Sequence, residues 1–251
     1  PERVLPGDIF NELYQNSRVI GGITKKCSEN AAKIYNLFVE GEITITDSST
    51  AEFVKLAENT YRDINIAIAN EFSMMAEIKN LDIQEIISIT NQHPRVDILK
   101  PGVGVGGHCL AVDPYFLIHS FPHHSSLTFE SRRVNLEKEN FSYKKIMSFI
   151  ELNKVSNLTL FGVSYKPDSN DLRESPSYRI LLKLLHQGIN VNVCEPNISS
   201  LNIKSKHCNL ISLDDAFKSS DGFIFLVPHR HFASIKKERL QKPYLDFCNL
   251  I

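Results

Sequence analysis

The sequence predicts an α/β chain in three parts: the end of one α/β unit over residues 1–47, a helical middle over 48–153, and a doubly wound unit over 154–251. Three observations predict it. Strand-like and helix-like stretches alternate at both ends, the pattern of parallel sheets covered by helices. Between them apolar residues recur every three or four positions for about thirty residues without Gly or Pro, which is one long helix. Glycines and prolines gather in one stretch, 94–114, between helical patterns.

The elements follow in order. Residues 8–17 read as a short helix, Arg18 to Ile23 as an apolar strand, Lys25 to Glu40 as a helix and Glu42 to Thr46 as an alternating strand. Two strands cannot cover a sheet's faces, so the remaining strands of that unit are expected upstream of Pro1, and the chain reads as a piece of something longer. Ser49 and Glu52 have capping-box spacing and open the long helix, on which Phe53, Leu56, Thr60, Ile64, Ile68, Phe72 and Met75 form the apolar stripe. At 1.5 Å per residue it is roughly 45 Å long and outruns a small core, so part of its surface is expected to meet a second copy. Helices are expected over Asp82 to Asn91 and Ser125 to Leu152, with an ordered or disordered loop at 94–114. In the last hundred residues, strands are expected over Asn157–Val163, Asn190–Cys194, Gly222–Val227 and Tyr244–Phe247. Between them fall a helix capped by Ser175 with Pro176 at its first position and ended by Gly188, and another over Leu213–Ser219.

Composition excludes several classes of function. The 28 Lys and Arg nearly cancel the 29 Asp and Glu, so there is no basic field to hold a phosphate backbone, and nucleic acid is not expected as a partner. No apolar run approaches the ~20 residues that cross a bilayer. Five scattered cysteines without a CxxC pair argue against a disulfide framework and against a structural metal; a cytoplasmic setting is expected, with no membrane partner.

Gly102, Gly104 and Gly107 match the letters G-x-G-x-x-G, but no strand precedes them and no acid follows about twenty residues on, so a dinucleotide fingerprint is not expected there. The glycines offer close backbone approach beside Cys109, and amides that can face an anion. A lone cysteine is more often packed than reactive. Against that stand the glycine run before it, Asp113 four residues after it, and Lys55 and Asn59 one turn apart on the long helix. Read singly, Lys55 is a solvated lysine and Asp113 a cap for the helix at Pro114.

Taken together, Ala51 to Asn59, Asn70-Glu71, the run Pro101-Gly-Val-Gly-Val-Gly-Gly-His-Cys109-Leu-Ala-Val-Asp113-Pro114, then Tyr165-Lys166-Pro167-Asp168 and Asp171-Leu-Arg173-Glu-Ser-Pro176 resemble the UDP-glucose/GDP-mannose dehydrogenase family, in order and over nearly all the chain. Pro1-Glu2-Arg3, Pro6-Gly7 and His93-Pro94-Arg95 narrow the resemblance to a branch whose product enters bacterial surface polysaccharides. The resemblance implies the end of a Rossmann domain for NAD, a central helical dimerisation region, and a Rossmann-like UDP-sugar domain. It implies an oxidoreductase that turns the C6 alcohol of a UDP-sugar into a carboxylate in two NAD-dependent steps. Cys109 then traps the aldehyde as a thiohemiacetal and carries the acid as a thioester. Lys55 and Asn59 donate to the developing oxyanion, worth about 3–4 kcal/mol per donor. Asp113 orients the hydrolytic water or takes its proton. Glu2 matches a carboxylate near the sugar, and Pro6 stands where some members carry a second acid. Arg95 matches an arginine that reaches the partner subunit's nucleotide. Gly106, Gly107, Tyr165 and Lys166 match substrate contacts, and Arg173 a contact to NAD. Val112 and Cys248 depart from Lys and Arg in relatives. Because the family's own glycine fingerprint is not in these 251 residues, the polypeptide is expected to fold and dimerise but oxidise nothing by itself. Two other readings remain beside this one: a cysteine acyl-transfer enzyme with His93 or His108 as base, and a non-catalytic dimeric scaffold.

Overall fold

A computed structural model describes Arg3, Val4 and residues 9–251. Two compact units divide the chain, Pro1–Tyr61 and Arg62–Ile251. The first holds α1 (Ile9–Gln15), β1 (Arg18–Gly22), α2 (Lys25–Tyr35), β2 (Ile43–Asp47) and the opening turns of α3 (Ser48–Ile78). β1 and β2 pair in parallel, Arg18 opposite Ile43, with α2 as the crossover. Arg18 is buried and its guanidinium donates to the carbonyls of Leu13 (3.0 Å) and Asn16 (3.2 Å), so the cation closes the end of α1 where carbonyls lack helical partners.

The long helix starts earlier than its capping-box spacing predicts. Asp47, the last residue of β2, accepts the amide of Thr50 (2.9 Å) and its hydroxyl (2.7 Å), and so caps α3 with no connecting loop. A carboxylate at a helix N-terminus satisfies an orphan amide and opposes the dipole's positive end. The Thr50 hydroxyl, more than its amide, holds the Asp47 carboxyl below the usual range.

The second unit holds the rest of α3, α4 (Ile83–Thr90), α5 (Asp113–Ser120), α6 (Ser126–Asn153), and a five-stranded sheet. α3 meets α6 through a polar seam. Asp63 pairs with Arg132 (2.6 Å) and takes a bond from Asn135 (2.8 Å); Asn70 donates to Asn135 (2.9 Å); Lys138 donates to Ser73 (2.8 Å). Burial, with Lys145 adding repulsion, pushes the Lys138 ammonium down to about 8. The face of α3 turned inward is therefore Asp63, Asn70, Ser73 and Ala76, while Ile68, Phe72 and Met75 of the expected stripe remain 40%, 38% and 53% exposed.

The sheet comprises β3 (Asn157–Phe161), β4 (Asn190–Cys194), β5 (Cys208–Leu210), β6 (Gly222–Phe225) and β7 (Tyr244–Asp246), all parallel in the order β5-β4-β3-β6-β7. Leu158 and Leu160 of β3 face α6 and α7 (Pro176–His186), packing on Ile146, Ile180 and Leu184. Phe161 faces the other way, into Phe223, Phe225 and Phe232 near α8 (Leu213–Ser219). This alternation is the two-residue period of a strand buried on both faces. Ser175 caps α7 as predicted, accepting the Tyr178 amide (3.2 Å), and donates to the carbonyl of Val163 (2.7 Å), which ties the helix start to the end of β3. The chain moves outward from β3 to β5 and returns to β6, so the loops after β3 and β6 flank the topological switch point, where ligands bind in open parallel sheets. Among the described residues, no helix is long and apolar enough to cross a membrane.

Candidate active site

The glycine-rich stretch is an ordered loop. The Asn91 carboxamide bridges it, accepting from the amide of Ile98 (2.8 Å) and donating to its carbonyl (3.0 Å), and Asn70 accepts the amide of Gly102 (3.0 Å). Val103 and Val105 are buried. A Cβ on Gly106 would stand 2.5 Å from the Glu174 carbonyl; one on Gly107, whose φ is +87°, would stand 2.8 Å from the Tyr165 ring. The Gly107 amide donates to the carbonyl of Arg173 (3.1 Å). These glycines let the β3–α7 loop pack against the Cys109 turn. Two of the amides that this run offers are already used, that of Gly102 by Asn70 and that of Gly107 by the Arg173 carbonyl.

Cys109 is half-buried and begins the turn into α5; its carbonyl accepts the amides of Val112 (2.9 Å) and Asp113 (2.8 Å). Asp113 is the first residue of that helix, and Val112 holds the cap position, so the capping role considered for Asp113 is not the one it has. Across from the turn, Arg173 clamps Asp171 with Nε (3.0 Å) and Nη2 (2.7 Å), and Nη2 lies 3.3 Å from Nδ1 of His108. A guanidinium only donates, so this His108 nitrogen is the acceptor. The charge of Cys109 reaches both Tyr165 and Arg173. Burial first, then the negative charges of Asp171 and Cys109, push the Tyr165 phenol upward. Arg173 holds the Asp171 carboxyl below its usual range. The Tyr165 amide donates to the backbone carbonyl of Asp171 (3.1 Å), closing the loop, and Lys166 Nζ sits 5.9 Å from the Tyr165 ring centre.

Lys55 and Asn59 belong to the first unit. Lys55 lines a cleft of about 440 Å³ with Arg18, Gly21, Tyr35, Ala51 and Glu52; Asn59, one turn on, is buried. Arg95 is exposed on the turn after α4, its amide donating to His93 (3.3 Å). Glu2 lies outside the described residues. The structure thus brings together Gly106, Gly107, Cys109, Tyr165 and Arg173 within the second unit. Sequence reasoning gave no role to Asn70 or Asp171. Asn70 is signalled by a carboxamide recurring on the helical period beside Asp63 and Ser73, and Asp171 by its i,i+2 spacing to an arginine.

A half-buried cysteine turn packed on the switch-point loop of an open parallel sheet places the chain in the α/β class whose ligands bind at that edge. Comparison with known proteins makes this specific. Residues 49–136 match the central domain of the UDP-glucose/GDP-mannose dehydrogenase family and residues 159–250 match its UDP binding domain, and the chain belongs to that family. It is 41% identical to a UDP-N-acetyl-D-mannosamine dehydrogenase of Campylobacter jejuni over 99% of this chain and 61% of the relative. It is 42% identical to an NDP-N-acetyl-D-galactosaminuronic acid dehydrogenase of Ralstonia nicotianae over 96% of this chain and 57% of the relative. A solved UDP-D-ManNAc dehydrogenase from Pyrococcus horikoshii superposes with a TM-score of 0.87 at 34% identity, covering 100% of this chain and 60% of that one. The chain spans about 60% of the length of these relatives.

Proposed function

We propose that this chain carries the thiol and the UDP-sugar site of an NAD-dependent dehydrogenase that converts the C6 alcohol of UDP-N-acetylmannosamine to the uronate. One observation carries the reading: the loop holding Tyr165, Asp171 and Arg173 at the switch point is packed directly on Gly106 and Gly107, beside Cys109. A nucleotide bound at the sheet's carboxyl edge thereby has its sugar end near a sulfur.

The chemistry assigned to these residues is as follows. The thiolate of Cys109 adds to the C6 aldehyde, forming a C–S bond and an oxyanion; loss of hydride from C6 leaves a thioester; water cleaves it, releasing the carboxylate and restoring the thiolate. Lys55 and Asn59, one turn apart on α3, are assigned to donate to the oxygen as its charge grows. Asp113, one turn beyond Cys109, is assigned to hold the water and take its proton. Tyr165 and Lys166 hold the UDP-sugar, and Arg95 the nucleotide bound to a second copy. Glu2 is assigned a carboxylate role beside the sugar.

NAD, when bound, supplies the hydride acceptor for both oxidations. The chain fits it in part. Arg173 presents a 65% exposed guanidinium braced by Asp171, suited to an anionic cofactor group. Gly21 and Gly22, at the carboxyl end of β1, are filled by Asp47, Ala51 and Cys27 at under 3 Å from an added Cβ, so they serve packing.

Isothermal titration tests the substrate half. UDP and UDP-N-acetylmannosamine are expected to bind, and Gly107→Ala to weaken both by at least about tenfold, because a left-handed φ costs ~1–2 kcal/mol and the new methyl displaces the Tyr165 ring. Equal affinity of the variant, or no binding by the wild type, contradicts the reading. Association of two copies is proposed through Ile68, Phe72 and Met75, three of the large apolar side chains that α3 leaves exposed. Sedimentation equilibrium is expected to give twice the chain mass, and Phe72→Glu to give the monomer.

A further inference from the structure

Behind the loop that carries Tyr165 and Lys166 lies a buried pair that the chemistry above does not use. His229, just after β6, and Glu195, just after β4, both have fully buried side chains. Glu195 Oε2 accepts the amides of Val163 (2.8 Å) and Ser164 (3.1 Å), the first residues of the loop beyond Gly162. His229 Nε2 lies 3.1 Å from the same oxygen and 3.4 Å from the Ser164 hydroxyl. That hydroxyl donates onward to the carbonyl of Lys166 (2.9 Å), so its lone pairs are what it offers the imidazole. On the far side of the ring, Nδ1 receives the amide of Asp168 (3.0 Å) and faces the Asn197 carboxamide nitrogen (3.1 Å).

A backbone amide can only donate, so Nδ1 is the acceptor and the ring's proton sits on Nε2, pointing at Glu195. The imidazole therefore joins both ends of the loop: through Glu195 to Val163 and Ser164, and through Nδ1 to Asp168. Asp168 needs such a hold, because its φ of +55° is a left-handed conformation that a non-glycine residue adopts at a cost. Arg230 supplies the rest, its amide (3.0 Å) and Nε (2.6 Å) donating to the Asp168 carboxylate. Burial works against the Glu195 charge, but the His229 hydrogen bond and the two amides outweigh it and hold the carboxyl below its usual range.

We infer that His229, as its Nε2-protonated tautomer, is a positioning residue that fixes the Ser164–Asp168 loop and so sets Tyr165 and Lys166 for the UDP-sugar. The part concerning UDP-sugar rests on the reading given under the proposed function; the part concerning the loop does not.

Two substitutions separate the ring's two ends. The Asn side chain places an acceptor near Nδ1, and the Gln side chain places a donor near Nε2. His229→Asn is expected to keep the Asp168 amide within about threefold of its wild-type hydrogen-exchange rate. His229→Gln is expected to speed it by roughly tenfold or more, the scale of a lost amide acceptor, and to weaken UDP binding several-fold. Equal exchange in both variants overturns the inference, whether both are fast or both slow. In the wild-type chain, a long-range 15N–1H spectrum is expected to show His229 protonated at Nε2 and bare at Nδ1; a proton on Nδ1 overturns it, and this measurement decides alone should a variant not fold. A wild-type chain that binds no UDP refutes the UDP-sugar reading and leaves the exchange and nitrogen spectra to decide the loop's.

Discussion

In an enzyme that carries this chain together with a complete NAD site, Cys109→Ser is expected to leave UDP-sugar bound and to lower formation of the uronate by at least roughly a thousandfold, the scale on which loss of a covalent nucleophile acts. Removing sulfur changes one atom of a half-buried side chain, so the turn from Cys109 to Asp113, built on carbonyl and amide bonds, has no reason to change. What changes is chemistry. A serine hydroxyl does not ionise near neutrality and is a far weaker nucleophile and leaving group than a thiol. The first oxidation needs no sulfur, so a variant that makes aldehyde but no acid matches the account. A variant that forms acid at the wild-type rate removes Cys109 from the mechanism.

Arg132→Leu is expected to cost about 3–5 kcal/mol of folding stability, measured by urea unfolding, because it strands the buried Asp63 carboxylate. The pair is deep, with side chains 4% and 0% exposed, and Asp63 Oδ2 meets no donor among the described residues. Burial outweighs Arg132 and raises the Asp63 carboxyl above its ordinary value. The folded chain thus holds that proton more tightly than the unfolded one. The associated stability is present below the ordinary carboxylate value and is lost as pH rises through the raised one. The deficit of Arg132→Leu is accordingly expected to be smaller near pH 4 than near pH 7. Replacing both partners by Leu is expected to restore most of the loss, since Asn135 keeps the Asp63 backbone carbonyl (3.3 Å) as an acceptor.

Local signals carried much of this architecture into the sequence. The helical period of α3, the Ser175 cap with Pro176, and the apolar run Leu158–Phe161 are visible because each depends on neighbours a few residues away. What escapes depends on distant partners. The apolar stripe of α3 is legible, but its polar inward face is not: Asp63, Asn70 and Ser73 turn in because Arg132, Asn135 and Lys138 meet them from 65 or more residues along the chain. The three-residue edge strand β5 is too short for a period to show. At the site, Cys109, Tyr165 and Arg173 were found through the family resemblance, whereas the reason for Gly106 and Gly107 needed the β3–α7 loop on top of them. His229 has no ligand spacing in the sequence; its meaning comes from Glu195, 34 residues away.

Of the two other readings, acyl transfer through His108 meets an imidazole whose Nδ1 is turned to Arg173. The scaffold reading and the dehydrogenase reading part at the reactivity of the thiols. Cys27 is exposed, and the Thr24 hydroxyl lowers its thiol, so it is expected to alkylate quickly and speed alone does not single out Cys109. Burial pushes Cys194 up to about 12 and Cys248 upward as well, so both are expected to be inert. The most direct test is therefore competitive alkylation followed by peptide mass analysis, with and without saturating UDP-N-acetylmannosamine. Cys109 is predicted to react when the site is open and to be shielded by the nucleotide sugar while Cys27 keeps its rate; labelling of Cys109 at one unchanged rate in both conditions would contradict the account.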